Sequence, residues 1–469
     1  MELKNISHVY FLGIGGIGMS ALARYFKAMG KHVGGYDKTS TKLTDELIAE
    51  GINIHFDDNM DLVEDGFKNP TAIGNVLIAY TPAVPANHNE LSFFRSNGFN
   101  LRKRAEVLGM ITASTNTIAV AGTHGKTTTS SLIAHILKTA GLDPSAFLGG
   151  ITQNYNTNLL LSKDLQASHL QPTSANLVVV EADEYDRSFL TLHPQLAVIT
   201  SVDADHLDIY GNEGSVLESY SLFAKQVTGK LILKKSIVSK VDSEKNAITY
   251  SVSDENSDYF AQGIEIKNGS YHYDIITPEA IYYNMTLGLP GLHNVENSLA
   301  AVAVACCMNI SEEHIREALK SFKGVRRRFD YHIKSEALVF IDDYAHHPAE
   351  LKATISSAKE MYPGKKITGV FQPHLFSRTR DFADDFARSL DLLDECILLE
   401  IYPARELPIE GVSSAMLLNK MHSAKKCICS KVELIDEIEK RNVEVLLTMG
   451  AGDIDMLVEP IRKRLTVKA

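Results

Sequence analysis

The sequence predicts an α/β protein of three domains, each built around a mostly parallel sheet. Its 469 residues suffice for about three domains of ~150 residues each. Apolar strand-like runs alternate with amphipathic helix-like runs along three successive stretches, an alternation typical of parallel sheets covered by helices. Two glycine-rich loops each follow a strand-like run and precede a helix-like run, which is the usual context of a nucleotide site.

The first predicted domain covers residues 1–112. Its alternation gives three strands and one clear helix, at His8–Leu12, His32–Tyr36, Asn75–Tyr80 and Gly16–Met29. The composition becomes small and polar near Thr112–Asn116. We therefore place an inter-domain boundary there.

The second predicted domain covers residues 113–325. It opens with a strand, a helix and two further strands, at Thr117–Ala121, Lys126–Ala140, Leu177–Glu181 and Leu196–Val202. From about Lys230 to Leu289 short strands rich in Tyr, Ile and Val follow, and Asn268-Gly269 gives the type I′ hairpin signal. This pattern predicts an antiparallel flap inserted in the α/β domain, before a helix at Asn294–Met308.

The third predicted domain covers residues 326–469 and alternates again. The predicted strands are Leu338–Asp342, Ile367–Phe371, Cys396–Ile401 and Val443–Met449, and the predicted helices are Ala349–Met361 and Arg378–Leu392.

Composition narrows the class of protein. The chain is 45% hydrophobic and 22% charged, which excludes wholesale disorder, and its net charge of −11 is the opposite of a nucleic-acid binder's. No secretory signal is visible, and the longest apolar run, Leu299–Met308, is about half of a bilayer span. Five unevenly spaced cysteines fit reduced thiols. We expect a cytoplasmic protein that binds neither nucleic acid nor membrane.

A phosphate-binding loop is predicted between the first strand and helix of the second domain. It consists of Gly122, Thr123, His124, Gly125, Lys126, Thr127 and Thr128. Glycines let backbone N–H groups face phosphate oxygens, Lys126 would neutralise the β and γ oxygens, and the Thr127 hydroxyl would bind Mg²⁺. Val120 stands where the standard spacing has glycine. The loop predicts an ATP or GTP site.

Two acidic clusters follow neighbouring strands of this domain. Glu181 comes directly after an apolar run, and Asp203–Asp208 follows the next one. Glu181 is the best candidate for a Mg²⁺ ligand because hard cations prefer oxygen. His206 is a second candidate, although imidazole is an unusual partner for Mg²⁺.

A second glycine-rich loop lies in the first domain. Gly15, Gly16, Ile17 and Gly18 follow the first strand, and Asp37 ends the next. Alone, this pattern fits a dinucleotide fingerprint with Asp37 on a ribose hydroxyl, which would indicate an NAD-dependent oxidoreductase. The loop would equally bind the diphosphate of another nucleotide conjugate.

Taken together, these motifs resemble the Mur ligases along nearly the whole chain. The matching blocks are Gly13–Leu22, Gly122–Thr127, Glu181–Glu184, Asp205–His206, His293–Asn297, Arg327–Phe329, Asp342–Pro348 and Phe371–His374. The resemblance implies an N-terminal Rossmann-like domain for a UDP-sugar, a central P-loop ATPase-type domain and a C-terminal Rossmann-like domain. It also implies an ATP- and Mg²⁺-dependent ligase that joins L-alanine to the lactyl carboxylate of UDP-N-acetylmuramate through an acyl phosphate, for peptidoglycan synthesis. A ligase that recycles murein tripeptide onto the same sugar nucleotide is the alternative.

The resemblance also implies roles for individual residues. The nucleotide base would lie against His293, Asn294 and Asn297, and Arg327 would reach the γ-phosphate. His374, or one of the residues Asp343–His347 with both ends included, would accept the proton of the incoming amine, and Asp343 would also face the nucleotide. The substrate would contact Tyr344, His346, His374, Arg378 and Arg380, besides the first-domain loop. Leu375 and Arg405 depart from the family pattern, which commonly has Arg and Gly there.

Overall fold

A computed structural model describes residues 2–163, 165, 176–205, 207–244, 246–267, 269–404 and 406–466. The chain forms two compact units. One comprises Met1–Ile151, Tyr155–Phe260 and Leu299–Ala318, and the other comprises Thr152–Asn154, Ala261–Ser298 and Leu319–Ala469. Helices cover parallel and mixed sheets in both units, which confirms the α/β class.

The first sheet of the first unit has the strand order β3-β2-β1-β4-β5, and its strands are all parallel. The order reverses beside β1, and ligands of such sheets bind outside the carboxyl ends of the strands at that point. In chain order the elements are β1 (His8–Leu12), α1 (Ile17–Ala28), β2 (His32–Tyr36), α2 (Lys42–Ala49), β3 (Asn53–His55), α3 (Asp65–Lys68), β4 (Val76–Tyr80), α4 (Asn89–Ser96), β5 (Asn100–Lys103) and α5 (Arg104–Ala113).

The second sheet of the first unit has the order β8-β7-β9-β6-β10-β11-β12, followed by the first two residues of β13, and its central strand β6 pairs in parallel with β9 and β10. Its elements are β6 (Asn116–Ala121), α6 (Lys126–Thr139), β7 (Ser145–Thr152), β8 (Thr157–Leu160), β9 (Leu177–Glu181), β10 (Leu196–Ile199), α7 (Leu207–Tyr210), α8 (Glu213–Gln226), β11 (Lys230–Lys234), β12 (Ile248–Ser251) and β13 (Tyr259–Lys267). A 3-10 helix spans Tyr185–Thr191. The two sheets share core: Tyr25 of α1 packs against Phe147 of β7, with ring centroids 5.2 Å apart.

The antiparallel flap begins later than the sequence predicts. Strand β11 pairs in parallel with β10, and β12 in parallel with β11. The middle of β11 is buried at three successive residues, which is typical of a parallel strand covered on both faces. The flap prediction is confirmed in the second unit by β14 (Ser270–Ile276) and β15 (Ile281–Leu287), which pair antiparallel. Asn268 lies outside the described residues.

The C-terminal sheet of the second unit has the order β16-β17-β21-β18-β19-β20, parallel except for the edge strand β16. The remaining elements of the chain are α9 (Leu292–Cys307), α10 (Glu312–Ser321), β16 (Asp330–Lys334), β17 (Val339–Asp343), α11 (Pro348–Met361), β18 (Ile367–Phe371), α12 (Phe376–Asp381), α13 (Ala383–Leu390), β19 (Glu395–Leu398), α14 (Ser414–Lys420), β20 (Lys426–Ile428), α15 (Leu434–Glu439), β21 (Val445–Met449) and α16 (Asp455–Thr466). The single helix predicted at Arg378–Leu392 is two helices, because Phe382 has non-helical dihedrals between α12 and α13. Among the described helices, none combines the length and apolar character needed to cross a bilayer.

Candidate active site

The phosphate loop of the first unit connects β6 to α6, as predicted. Gly125 takes a left-handed conformation at φ +83° just before Lys126 opens the helix. The Lys126 side chain folds back across the loop, and its Nζ donates to Gly122 O at 2.6 Å. The same ammonium donates to Glu184 Oε1 at 2.9 Å and lies 2.8 Å from Oε2. The catalytic lysine candidate therefore rests on a carboxylate.

The Lys126–Glu184 pair is buried. Only 14% of the Lys126 side chain and 6% of the Glu184 side chain are exposed. Burial alone works to lower the pKa of Lys126, but the nearby charges of Glu184 and then Glu181 outweigh it and raise that pKa. The ammonium is thus held charged where phosphate oxygens would need it.

Glu184 owes its position to a tight turn. Asp186 and Arg187 both have left-handed backbones, with φ of 52° and 55°. The Tyr210 hydroxyl donates to Glu184 O at 2.6 Å, and the Arg187 guanidinium lies 5.6 Å from the centre of the Tyr210 ring. The sequence motif contains Glu184, but no pattern around it indicates a contact with a lysine 58 residues away.

Thr127 and Glu181 form an oxygen pair beside the loop. Thr127 Oγ1 donates to Glu181 Oε1 at 3.1 Å, and Gly149 N donates to Glu181 Oε2 at 2.9 Å. A hydroxyl next to a carboxylate is a donor set that suits Mg²⁺. Within the described part of the chain, no group of three or more His, Cys, Asp and Glu side chains could hold a metal. His206, the other predicted metal ligand, lies outside the described residues.

The rest of the loop is anchored on the segment after β10. Thr123 Oγ1 donates to Asp203 O at 2.8 Å, and His124 N donates to Ser201 Oγ at 2.8 Å. Thr128 is buried in the first turn of α6. Thr123 N also donates to Ser201 O at 3.2 Å, so these bonds together fix the curvature of the loop.

The glycine loop of the first sheet is held by Asp37. Gly15 N donates to Asp37 Oδ2 at 2.7 Å, and Thr39 N donates to Oδ1 at 3.3 Å. Gly16 is the N-cap of α1, and Ile17 is 67% exposed. Gly18 follows in the first turn. The Asp37 carboxylate thus orders the loop, whereas a dinucleotide fingerprint assigns it to a ribose hydroxyl.

In the second unit, the predicted base-contacting residues open α9. Asn294 Nδ2 donates to Pro290 O at 2.6 Å, and Asn297 Nδ2 donates to Asn294 Oδ1 at 3.2 Å. Burial, assisted by the charge of Arg328, lowers the pKa of His293 to about 4. The imidazole is therefore neutral near pH 7 and suited to hydrogen bonding rather than to charge pairing.

Arg327 is already engaged within the second unit. Its Nε donates to Asp342 Oδ2 at 3.0 Å, and its Nη2 donates to Gly450 O at 2.7 Å. The next residue, Arg328, lies 4.0 Å from Glu350, with its guanidinium 5.1 Å from the centre of the Tyr344 ring. The sequence predicts a role for Arg327 but none for Arg328, because adjacent arginines cannot be told apart without knowing their contacts.

Asp343 ends β17 and accepts two backbone hydrogen bonds. Phe329 N donates to Oδ2 at 2.7 Å, and Ala345 N donates to Oδ1 at 2.8 Å. Burial raises the pKa of Asp343 to about 6, although the charge of Arg328 and these two bonds act in the opposite direction. A carboxyl group with such a pKa can exchange a proton close to neutral pH.

His346 and His374 meet above the carboxyl ends of β17 and β18. Their ring centroids are 6.1 Å apart, and His374 also stacks on Tyr402 at 5.8 Å. Arg378 Nη1 lies 3.4 Å from His374 Nδ1, and the Arg378 side chain is buried. The structure thus brings together three residues predicted for the substrate.

Two further predicted residues are engaged elsewhere. The buried His347 caps α11 through Nδ1, and its ring packs against Phe382 with centroids 4.9 Å apart. Arg380 Nε donates to Asp381 Oδ1 at 2.7 Å. A structural role for His347 follows from this geometry, and its catalytic role stays a prediction. Arg405 lies outside the described residues.

Three family models match the chain in succession. They are described as the Mur ligase family catalytic domain, the Mur ligase middle domain, and the Mur ligase glutamate ligase domain, and they match residues 8–115, 120–305 and 327–455.

Curated relatives and a solved structure match the chain over nearly its full length. A UDP-N-acetylmuramate–L-alanine ligase of Parabacteroides distasonis is 50% identical over 99% of this chain and 98% of its own length. The ligase of that name from Flavobacterium johnsoniae is 49% identical over 99% of both chains. The crystal structure of a UDP-N-acetylmuramate–alanine ligase from Thermotoga maritima matches with a TM-score of 0.78 and 26% identity, covering 98% of this chain and 100% of that chain.

Proposed function

The chain belongs to the Mur ligase family, and on that premise we propose that it joins L-alanine to the lactyl carboxylate of UDP-N-acetylmuramate. It is an ATP-dependent ligase of three α/β domains that serves peptidoglycan precursor synthesis. The observation that carries the proposal is the identity of about half, over full length, with curated L-alanine ligases. We also propose that the reaction takes place in the cytoplasm, where ATP and UDP-sugars are available as co-substrates.

The two alternatives are not favoured. The relatives reported above carry the name of the alanine ligase rather than that of a tripeptide ligase. An NAD-dependent oxidoreductase is opposed by the family models and by Asp37, whose carboxylate is bonded to Gly15 N.

ATP activates the lactyl carboxylate, because attack on a free carboxylate would have to expel oxide. The carboxylate oxygen attacks the γ-phosphorus and ADP leaves, which forms an acyl phosphate. Lys126 exchanges Glu184 for the phosphate oxygens and neutralises charge that spreads over them during transfer. Thr127 and Glu181 would hold Mg²⁺, which supplies further charge neutralisation on the phosphates.

The C-terminal domain would bind L-alanine. The α-ammonium of L-alanine must lose a proton before its nitrogen attacks the carbonyl carbon of the acyl phosphate and phosphate leaves. The buried guanidinium of Arg378 suits the carboxylate of the amino acid. His374, which lies beside Arg378, is our proposed proton acceptor.

Phosphate release tests the proposal directly. The enzyme is incubated with ATP, Mg²⁺ and UDP-N-acetylmuramate, and with L-alanine, glycine, L-serine, D-alanine or murein tripeptide in parallel. We expect fast release and a new amide product with L-alanine. Phosphate release that requires the tripeptide, or no release with any amine, would contradict the proposal. In a separate titration with NADH, enhanced NADH fluorescence would favour an oxidoreductase.

A further inference from the structure

Arg104 lies between the two nucleotide loops of the first unit. It opens α5 directly after β5, at the carboxyl edge of the first sheet where the glycine loop also lies. A methyl group added at Gly18 would stand 3.0 Å from Cδ and 3.2 Å from Nη1 of Arg104. The guanidinium therefore packs over the first turn of α1, and the absence of a side chain at Gly18 leaves room for it.

The Arg104 guanidinium has more N–H donors than its ion pair uses. Its one ion pair among the described residues joins Nη2 to Asp183 Oδ2 at 3.6 Å, which is longer than a hydrogen bond. Its side chain is 33% exposed. A guanidinium carries five N–H donors in a fork that matches phosphate oxygens. An anion bound at the first turn of α1 would meet these donors as well as the free backbone N–H groups of the helix.

Hydrogen bonds and close packing hold α5, which carries Arg104, near the segment that contains Asp183 and Glu184 beside the phosphate loop. Thr191 Oγ1 donates to Ala105 O at 2.8 Å, and His193 N donates to Thr112 Oγ1 at 3.2 Å. Gly109 approaches Thr191 so closely that an added methyl would stand 2.4 Å from Thr191 O. The helix that carries Arg104 is thus docked on the 3-10 helix that follows Glu184.

We infer that Arg104 binds the diphosphate of the UDP-sugar and that Asp183 positions its guanidinium. The inference rests on the proposed function. The diphosphate is favoured over the lactyl carboxylate because the guanidinium packs on Gly18, inside the loop that cradles phosphates. Asp183 lies between Glu181 and Glu184 in the chain. Arg104 would therefore contact both the sugar nucleotide and the acidic segment beside the phosphate loop.

Binding titrations with three uridine ligands test the inference. UDP, UDP-N-acetylglucosamine and UDP-N-acetylmuramate are titrated into the wild-type protein and the variants Arg104→Ala, Arg104→Lys and Lys103→Ala. The first two ligands contain the diphosphate without the lactyl group. Lys103 is an exposed neighbour of equal charge and serves as the matched control. A non-hydrolysable ATP analogue checks that each variant is folded.

We expect Arg104→Ala to weaken all three uridine ligands by about tenfold to a hundredfold, the worth of a charge-assisted hydrogen bond. Arg104→Lys should fall between it and the wild type, while Lys103→Ala and the ATP analogue are unaffected. Equal affinity of wild type and Arg104→Ala for UDP overturns the inference, as does a loss confined to UDP-N-acetylmuramate. A wild-type protein that binds none of the three refutes the proposed function instead.

A double-mutant cycle tests whether Asp183 affects UDP binding through Arg104. Asp183→Asn should weaken UDP binding less than Arg104→Ala does. Adding it to Arg104→Ala should cause no further loss, because the carboxylate then has no guanidinium to hold. Losses that simply add would show that Asp183 does not act through Arg104.

Discussion

Replacing Glu184 by Gln should destabilise the ligand-free protein. It should also increase the stabilisation that the protein gains when a nucleotide binds. The change removes the charge that holds Lys126 but keeps the shape, and the amide oxygen can still accept one hydrogen bond. Lys126 would then stay buried with Gly122 O as its nearest remaining acceptor. In the wild type, the Glu184 carboxylate occupies the ammonium that phosphate oxygens need, so a bound nucleotide has to compete with it.

The size of the effect follows from the geometry of the pair. At 2.8 Å the ammonium and the carboxylate attract each other by about 4–6 kcal/mol at an effective dielectric constant near 20. Removing one partner of a buried pair costs about 3–5 kcal/mol, and the retained hydrogen bonds favour the lower end, about 3 kcal/mol. A bound triphosphate restores an anionic partner and should recover most of that loss.

Thermal unfolding with and without a non-hydrolysable ATP analogue measures both effects. Glu184→Gln should melt below the wild type without ligand and show the larger rise when the analogue is added. Asp242→Asn is the control, because it removes the same charge from an exposed pair with Lys225 and should change neither value. Equal melting temperatures of wild type and Glu184→Gln, or a smaller ligand-induced rise in the variant, would refute this role of the pair.

Three further changes test other parts of the molecule. Lys126→Ala should abolish phosphate release in the ligase assay and leave the affinity for UDP-N-acetylmuramate unchanged; near-normal turnover would contradict the ATP assignment. Glu90 is fully buried, and burial raises its pKa to about 7, so its proton favours the folded state at low pH and that stability is lost as the pH rises through 7. Urea unfolding at pH 5 and pH 8 should therefore show a loss in the wild type that is smaller in Glu90→Gln, and equal losses would disprove it. Leu375 has φ +69°, so Leu375→Gly should raise the free energy of unfolding by about 1 kcal/mol in urea, whereas a decrease would mean that side-chain packing outweighs the strain.

The parts predicted well from the sequence are those in which neighbouring residues carry the signal. The strand, glycine loop and helix around Lys126 are contiguous, so their pattern fixes both the local structure and the position of the lysine. The first strand and helix were placed to within a residue or two for the same reason. The α/β class follows from such alternation repeated along the chain.

Other parts depend on contacts between distant residues and leave no local pattern. Glu184 reaches Lys126 through a turn whose left-handed residues, Asp186 and Arg187, are not glycines. Strand β7 was missed because Gly149 and Gly150 interrupt its apolar run. Arg104 stands in a basic segment that resembles any solvated helix start, and only the docking of α5 indicates its role. The assignments of His374, Arg378 and Arg327 stay predictions.

The contact between Tyr25 and Phe147 limits how this protein can be dissected. A truncated product ending at the predicted boundary, residue 112, would retain the whole glycine loop of the first sheet but expose Tyr25 and the buried face of α5. Newly bared aromatic surface of this kind promotes aggregation. Inhibitor screening against the glycine loop should therefore use the intact polypeptide rather than an excised N-terminal piece.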